Sequence, residues 1–236
     1  ALARGLGITC LLLAFVTALL VLLLGAAVAM RRVSRELAKY RQVEEELLRR
    51  NHFQEMVAAI AADLVAANSD NIDGKIGEAL RRTGEFFTVE RSDVFLFSPD
   101  QKTVTNTHEW CRPGLDSKRT LFKNFAISQA PWYRRHIVDE KAVVHIPDVA
   151  ALPEEARHEK ALLQDLGIRS ALSIPIFTDK RMYGFIGFDA LAQPRCWSVE
   201  EIQGLSVVAQ ILANAFTGID AEQALRQSNL LLASAT

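Results

Sequence analysis

The chain has 236 residues, half of them hydrophobic, enough for one ordinary domain plus extensions. Its net charge of -1 gives no argument for nucleic acid, whose phosphates need a basic surface. Three widely spaced cysteines, Cys10, Cys111 and Cys196, form no CxxC pair and exclude a disulfide framework.

Gly5 to Met30 carries no charged residue. At about 1.5 Å of helical rise per residue, such a run is long enough to cross a bilayer core of roughly 30 Å. Arg31, Arg32, Arg35, Lys39 and Arg41 follow, against Arg4 alone on the other side, and this asymmetry puts the C-terminal side in the cytoplasm. Residues 1–30 are therefore expected to be a transmembrane helix. Ala27 to Ala29 would also pass for a signal-peptide cleavage site, although the apolar run is longer than a usual signal core.

Val33 to Ala67 lacks Pro and Gly and is rich in Glu, Arg, Leu and Ala, which predicts one continuous helix. Val33, Tyr40, Val43 and Leu47 fall on the seam of a parallel coiled coil, so residues 31–52 read as a helical linker. From Phe53 the spacing of Met56, Val57, Ile60 and Leu64 is that of a helix face packing on a sheet, and a globular domain over 53–219 begins there.

Asp73 is placed to cap a second helix with the face Ile76, Leu80 and Phe87. Val94 to Phe97 and Thr103 to Trp110 predict two strands joined by a polar turn. Short helices are expected over 122–127 and 132–138, then a strand over 142–146 that Pro147 stops. Pro153 to Leu166 reads as a helix ended by Gly167. Ser170 to Phe177 and Met182 to Leu191 predict an antiparallel hairpin, with Pro175 expected to mark an edge or a bulge because it cannot donate to a ladder. Ser198 and Glu201 form the S-x-x-E capping pattern of a last helix. Its seam of Ile202, Leu205, Ala209, Leu212, Phe216 and Ile219 continues past the domain into a helical linker over 220–236. The start at Ala1 and the stop in mid-pattern suggest a piece of a longer protein.

The phrases NTHEWC at 106–111, APW at 130–132, HIPDVAALP at 145–153 and GIRSALSIPIFTDKRMYGFIGFDALAQPRCW at 167–197 resemble a GAF domain, a small-molecule sensory module of bacterial signalling proteins. The resemblance covers roughly residues 53–219. It implies an α+β fold with a central antiparallel sheet flanked by helices, here preceded by a transmembrane helix and a long signalling helix. It also implies a pocket under the segments between the second strand and the hairpin. The family's tetrapyrrole-binding members carry a Cys-His pair, which neither Cys111–Arg112 nor Cys196–Trp197 supplies.

Candidate ligand contacts are Trp110, Cys111, Phe125, Trp132, His136, Asp148 and Arg169. The aromatics suit cavity walls, the histidine and thiol suit proton or redox sensing, and the arginine suits an anionic ligand. His108 and Cys111 make two potential metal ligands, short of the four a zinc site needs, so no metal is expected. Asp148 after Pro147 also fits a plain turn residue. No phosphate-cradling loop, HExxH or serine elbow occurs, and catalysis is not expected.

The whole predicts a sensory domain of a histidine kinase or cyclic-di-GMP enzyme type of protein. It would sit in a bacterial inner membrane with the GAF-like domain in the cytoplasm, paired as a homodimer through its helices, with a small-molecule ligand of unknown identity and a downstream output domain. A non-binding dimerisation spacer and a Cys111-based redox sensor or reductase are the alternatives.

Overall fold

The structure, a computed structural model, describes residues 2–179 and 181–234. It divides into two compact units, residues 1–53 and 54–236. The first is the N-terminal part of helix α1 (Leu2–Val65). The side chains up to Val21 lie outside the described residues, and with them most of the predicted membrane span. Val33, Tyr40, Val43 and Leu47, the predicted seam, are each more than half exposed.

The second unit begins with the last turns of α1, where the predicted packing face is real: Ile60 and Leu64 are buried. Asp63 there pairs with Lys75 and Arg82 of α2 (Ile72–Phe87). Ile76, Leu80 and Phe87 are buried as their spacing requires, but the residue before α2 is Asn71, and no side chain caps its first turn. Asp73 lies inside that turn and reaches His108 at 3.0 Å.

Six strands form one antiparallel sheet: β1 (Arg91–Phe97), β2 (Thr103–Cys111), β3 (Phe125–Ala126), β4 (Val144–Ile146), β5 (Ser170–Phe177) and β6 (Met182–Ala190), in the order β3-β2-β1-β6-β5-β4. The hairpin of β5 and β6 is as expected, and β6 lies in the middle of the sheet. Pro175 sits opposite Phe185 on β5, which is not an edge strand over its whole length. β4 pairs only with Ala171 to Ser173, so beyond Ser173 one side of β5 is open and the missing N–H of Pro175 breaks no ladder. The irregularity falls one residue later, between Ile176 and Phe177.

Helices α2 and α5 (Val199–Ser234) pack on one face of the sheet. Ser198 and Glu201 form the predicted reciprocal cap: Ser198 Oγ accepts the Glu201 N–H, and Glu201 Oε2 accepts the Ser198 N–H at 2.9 Å. Leu205, Val208, Ala209, Leu212 and Ala213 are buried, whereas Leu225, Leu230, Leu231 and Leu232 are exposed. By length and composition α5 could cross a membrane, but its buried residues give it the character of a core helix.

The other face of the sheet is covered by short segments: 3-10 turns at Arg119–Phe122 and Ile127–Gln129, helix α3 (Pro131–Arg134) with a π turn at Arg135–Asp139, and α4 (Arg157–Asp165). α4 starts later than predicted because Glu154–Ala156 is a 3-10 turn, and it ends as expected at Gly167, whose φ of +73° suits glycine.

Candidate functional site

Alternation along the strands builds the site. The antiparallel register sets Glu109, Asp93, Gly187 and Ser173 side by side across β2, β1, β6 and β5. The next row holds Cys111, Arg91, Asp189 and Ala171. Phe95 and Phe185 pair on the other side, their rings stacked at 4.7 Å. Between these rows and the covering segments lies a cavity of about 100 Å³. Phe122, Phe125, Ile127, Leu162 and Leu163 line its apolar part, and Arg91, Asp93, Asn106, Glu109, Lys118, Glu159 and Asp189 bring polar atoms to it.

Charged side chains inside a sheet need partners. Arg91, 3 % exposed, lies 3.4 Å from Glu109 and 3.5 Å from Asp189. Glu109 also accepts from the Ser117 hydroxyl and the Lys118 N–H. Asp93 lies across β6, where there is room because residue 187 is glycine: a Cβ there would stand 2.2 Å from Asp93 Oδ1. From the covering side, Glu159 Oε1 accepts the N–H groups of Trp132 and Tyr133 at 2.8 and 3.2 Å, tying α4 to the start of α3. The Tyr133 hydroxyl donates to Ser173 on β5.

This enclosure perturbs the acids. Burial pushes Asp93 well above the usual carboxylate range, Asp189 and Glu109 add to it, and Arg91 opposes it. Burial lifts Asp189 to about 6 against the pull of Arg91. Burial, with Glu109, also pushes the Cys111 thiol up, the opposite of what a reactive thiolate needs.

Of the residues singled out from sequence, Phe125 lines the cavity. Cys111 lies beside Arg91 at the end of the charged row. Trp110 faces the helix side, where it fills the space that a side chain at Gly84 would take. The Trp132 and His136 rings meet at a tilt with centroids 4.3 Å apart, and His136 Nδ1 donates to the Trp132 carbonyl. Asp148 accepts the Ala150 N–H and starts the turn Val149–Ala151. Arg169 contributes main-chain bonds to Ala190 and Val149. No group of three or more metal-ligating side chains occurs among the described residues.

The sequence reading missed Arg91, Asp93, Asn106, Glu109, Glu159 and Asp189. One signal was present: Asp189 stands next to last in the otherwise apolar run MYGFIGFDA, a strand whose residues are all buried, so an acid there has no solvent face to occupy.

Comparison with known proteins places this geometry. The family model for the GAF domain matches residues 72–216. The methanogenesis regulatory histidine kinase FilI of Methanothrix harundinacea is 28% identical over 194 residues, 78% of this chain. The chain spans about a fifth of that relative's length, 20%. Among solved structures, the chromophore-binding domain of a bacteriophytochrome from R. palustris superposes with a TM-score of 0.62 at 19% identity, covering 73% of this chain and 62% of that one. The phycocyanobilin-bound GAF domain of a cyanobacterial phytochrome also gives 0.62 at 19% identity, covering 72% and 96%. Both share the fold described above.

Proposed function

The chain belongs to the GAF domain family, and from that premise we propose that it is the sensory domain of a membrane-anchored signalling protein that reports a small ligand through its helices. The observation that carries this reading is the cavity over the sheet, whose wall includes the buried, perturbed acids Asp93 of β1 and Asp189 of the central strand β6. That strand also meets α5: the Tyr183 hydroxyl donates to Asp220 at 3.0 Å, and Arg181 pairs with the same carboxylate at 2.6 Å. Occupancy that moves β6 therefore biases the packing of α5, a contiguous mechanical route from ligand to outgoing helix.

The similarity to a histidine kinase supports an output domain of that type downstream. The uncharged run 5–30 and the arginines after it support a membrane span with the domain on the cytoplasmic side. The cavity, about 100 Å³, suits a ligand smaller than a bilin of four linked pyrrole rings. No cysteine here precedes a histidine.

Native mass spectrometry of the full chain in detergent tests the sensory reading. A retained small molecule, released on collisional activation, is expected; a chain that stays empty through preparations from cells grown on different carbon and nitrogen sources would favour a dimerising spacer.

Pairing is proposed through the exposed seam of α1. The double substitution Tyr40→Glu and Leu47→Glu places like charges on both seams of a parallel pair, so sedimentation velocity is expected to show monomer where the parent chain shows dimer. Identical sedimentation would remove the seam from the interface. Leu212 is unsuitable for this purpose, because it is buried in the domain core and a charge there would unfold it.

A further inference from the structure

Carboxyl groups outnumber basic groups around the cavity. Asp93, Glu109, Glu159 and Asp189 face Arg91 and Lys118, four acids against two bases. Two further observations point to what is wanted. Asn106 Oδ1 on β2 and Glu159 Oε2 on α4, in side chains 3 % and 2 % exposed, meet no hydrogen-bond donor among the described residues. Both residues line the cavity from different elements. A buried acceptor left without a donor is destabilising, so an occupant bringing N–H groups and positive charge relieves both deficits at once. Most of the rest of the wall is apolar, Phe122, Leu162 and Phe185 included, and the volume of about 100 Å³ suits a small occupant.

Building on the sensory reading, we propose that this cavity recognises a small primary-ammonium cation with a short apolar tail. The ammonium group sits at the carboxylate end, with the tail against the phenyl rings. Without a cation, protons do part of the same work, since burial raises Asp93 and lifts Asp189 to about 6. Binding therefore displaces protons, and affinity rises between pH 6 and 8. The titratable and charged groups facing this end are Arg91 and Asp93 from β1, Glu109 and Cys111 from β2, Lys118 from the following loop, Tyr133 from α3, Glu159 from α4, and Asp189 from β6.

The test is thermal unfolding of the full chain in detergent at pH 8 with butylammonium chloride, butan-1-ol or sodium butyrate, each at about 10 mM and matched ionic strength. These probes share a tail and differ in charge. Butylammonium is expected to raise the midpoint by about 3 °C, the response to ligand at roughly ten times its Kd, with no shift from the other two. Glu159→Gln and Asn106→Leu are expected to reduce the shift to a third or less, while Asp148→Asn, which lies outside the cavity lining, retains it. An equal shift from butanol, a larger one from butyrate, no shift from any probe, or a butylammonium shift unchanged in both cavity variants overturns the proposal. Should the variants not fold, the three probes on the parent chain decide alone. A retained neutral or anionic molecule in native mass spectrometry, with no response to butylammonium, would overturn the cation and leave sensing intact.

Discussion

Gly184→Ala is expected to destabilise the domain by about 3 kcal/mol or more, at the far end of what single substitutions do. Gly184 lies on β6 between Leu96 of β1 and Ile176 of β5. A Cβ at this position would stand 1.8 Å from the Phe95 carbonyl oxygen and 3.0 Å from the Leu96 Cα. These are backbone atoms of the central ladder, so relief requires parting β1 from β6 rather than turning a side chain. Gly218→Ala on α5 makes the matched control. Nothing lies within 4 Å of a Cβ there, and replacing glycine inside a helix stabilises by roughly 0.5–1 kcal/mol. Chemical denaturation should therefore move the two variants in opposite directions. Equal, small effects would show that the β1–β6 contact is looser than described.

The second large effect concerns pH. A carboxyl group whose folded value lies above its unfolded value adds stability that is fully present below the unfolded value and is lost as pH rises through the folded one. Asp189, lifted from 3.8 to about 6 mainly by burial, therefore stabilises the domain progressively as pH falls from 8 towards 4. Between pH 8 and pH 5 its contribution is about 1.4 kcal/mol, most of it gained below pH 6. Asp93, also raised by burial, acts in the same direction. His108 and His145, pushed down by burial, act in the opposite sense over this range. The informative quantity is thus the difference between parent and Asp189→Asn. The parent is expected to gain about 3–6 °C more in Tm than the variant on going from pH 8 to pH 5, for a domain of this size. Parallel profiles would mean that Asp189 is already ionised and satisfied in the fold.

Much of the fold was legible because apolar spacing and burial agree. Ile76, Leu80 and Phe87 marked α2, the hairpin runs marked β5 and β6, and the Ser198–Glu201 pair marked the start of α5. The covering segments were less legible, since 3-10 and π turns of three to five residues and the two-residue β3 carry no periodicity to detect. The site was harder still. An aromatic such as Phe125 signals burial by its nature, but Arg91, Asp93 and Glu109 would ordinarily mark a solvated strand face. They turn inward here because cross-strand register supplies charge partners and Gly187 supplies space, and neither relation exists in one dimension.

Helix α5 is locked at one end and free at the other: Ser198 and Glu201 fix its origin, the core grips it as far as Ala213, and from Leu225 its leucines stand in solvent. Such a shaft encodes angle as well as distance. Inserting one residue between Glu222 and Leu225 would turn anything fixed to its free end by about 100° while advancing it only ~1.5 Å. Inserting seven residues, by contrast, would nearly restore the original bearing. A series of one to seven added residues should therefore produce output that oscillates with helical phase if torsion is what the shaft transmits, and output that fades steadily with length if it is not.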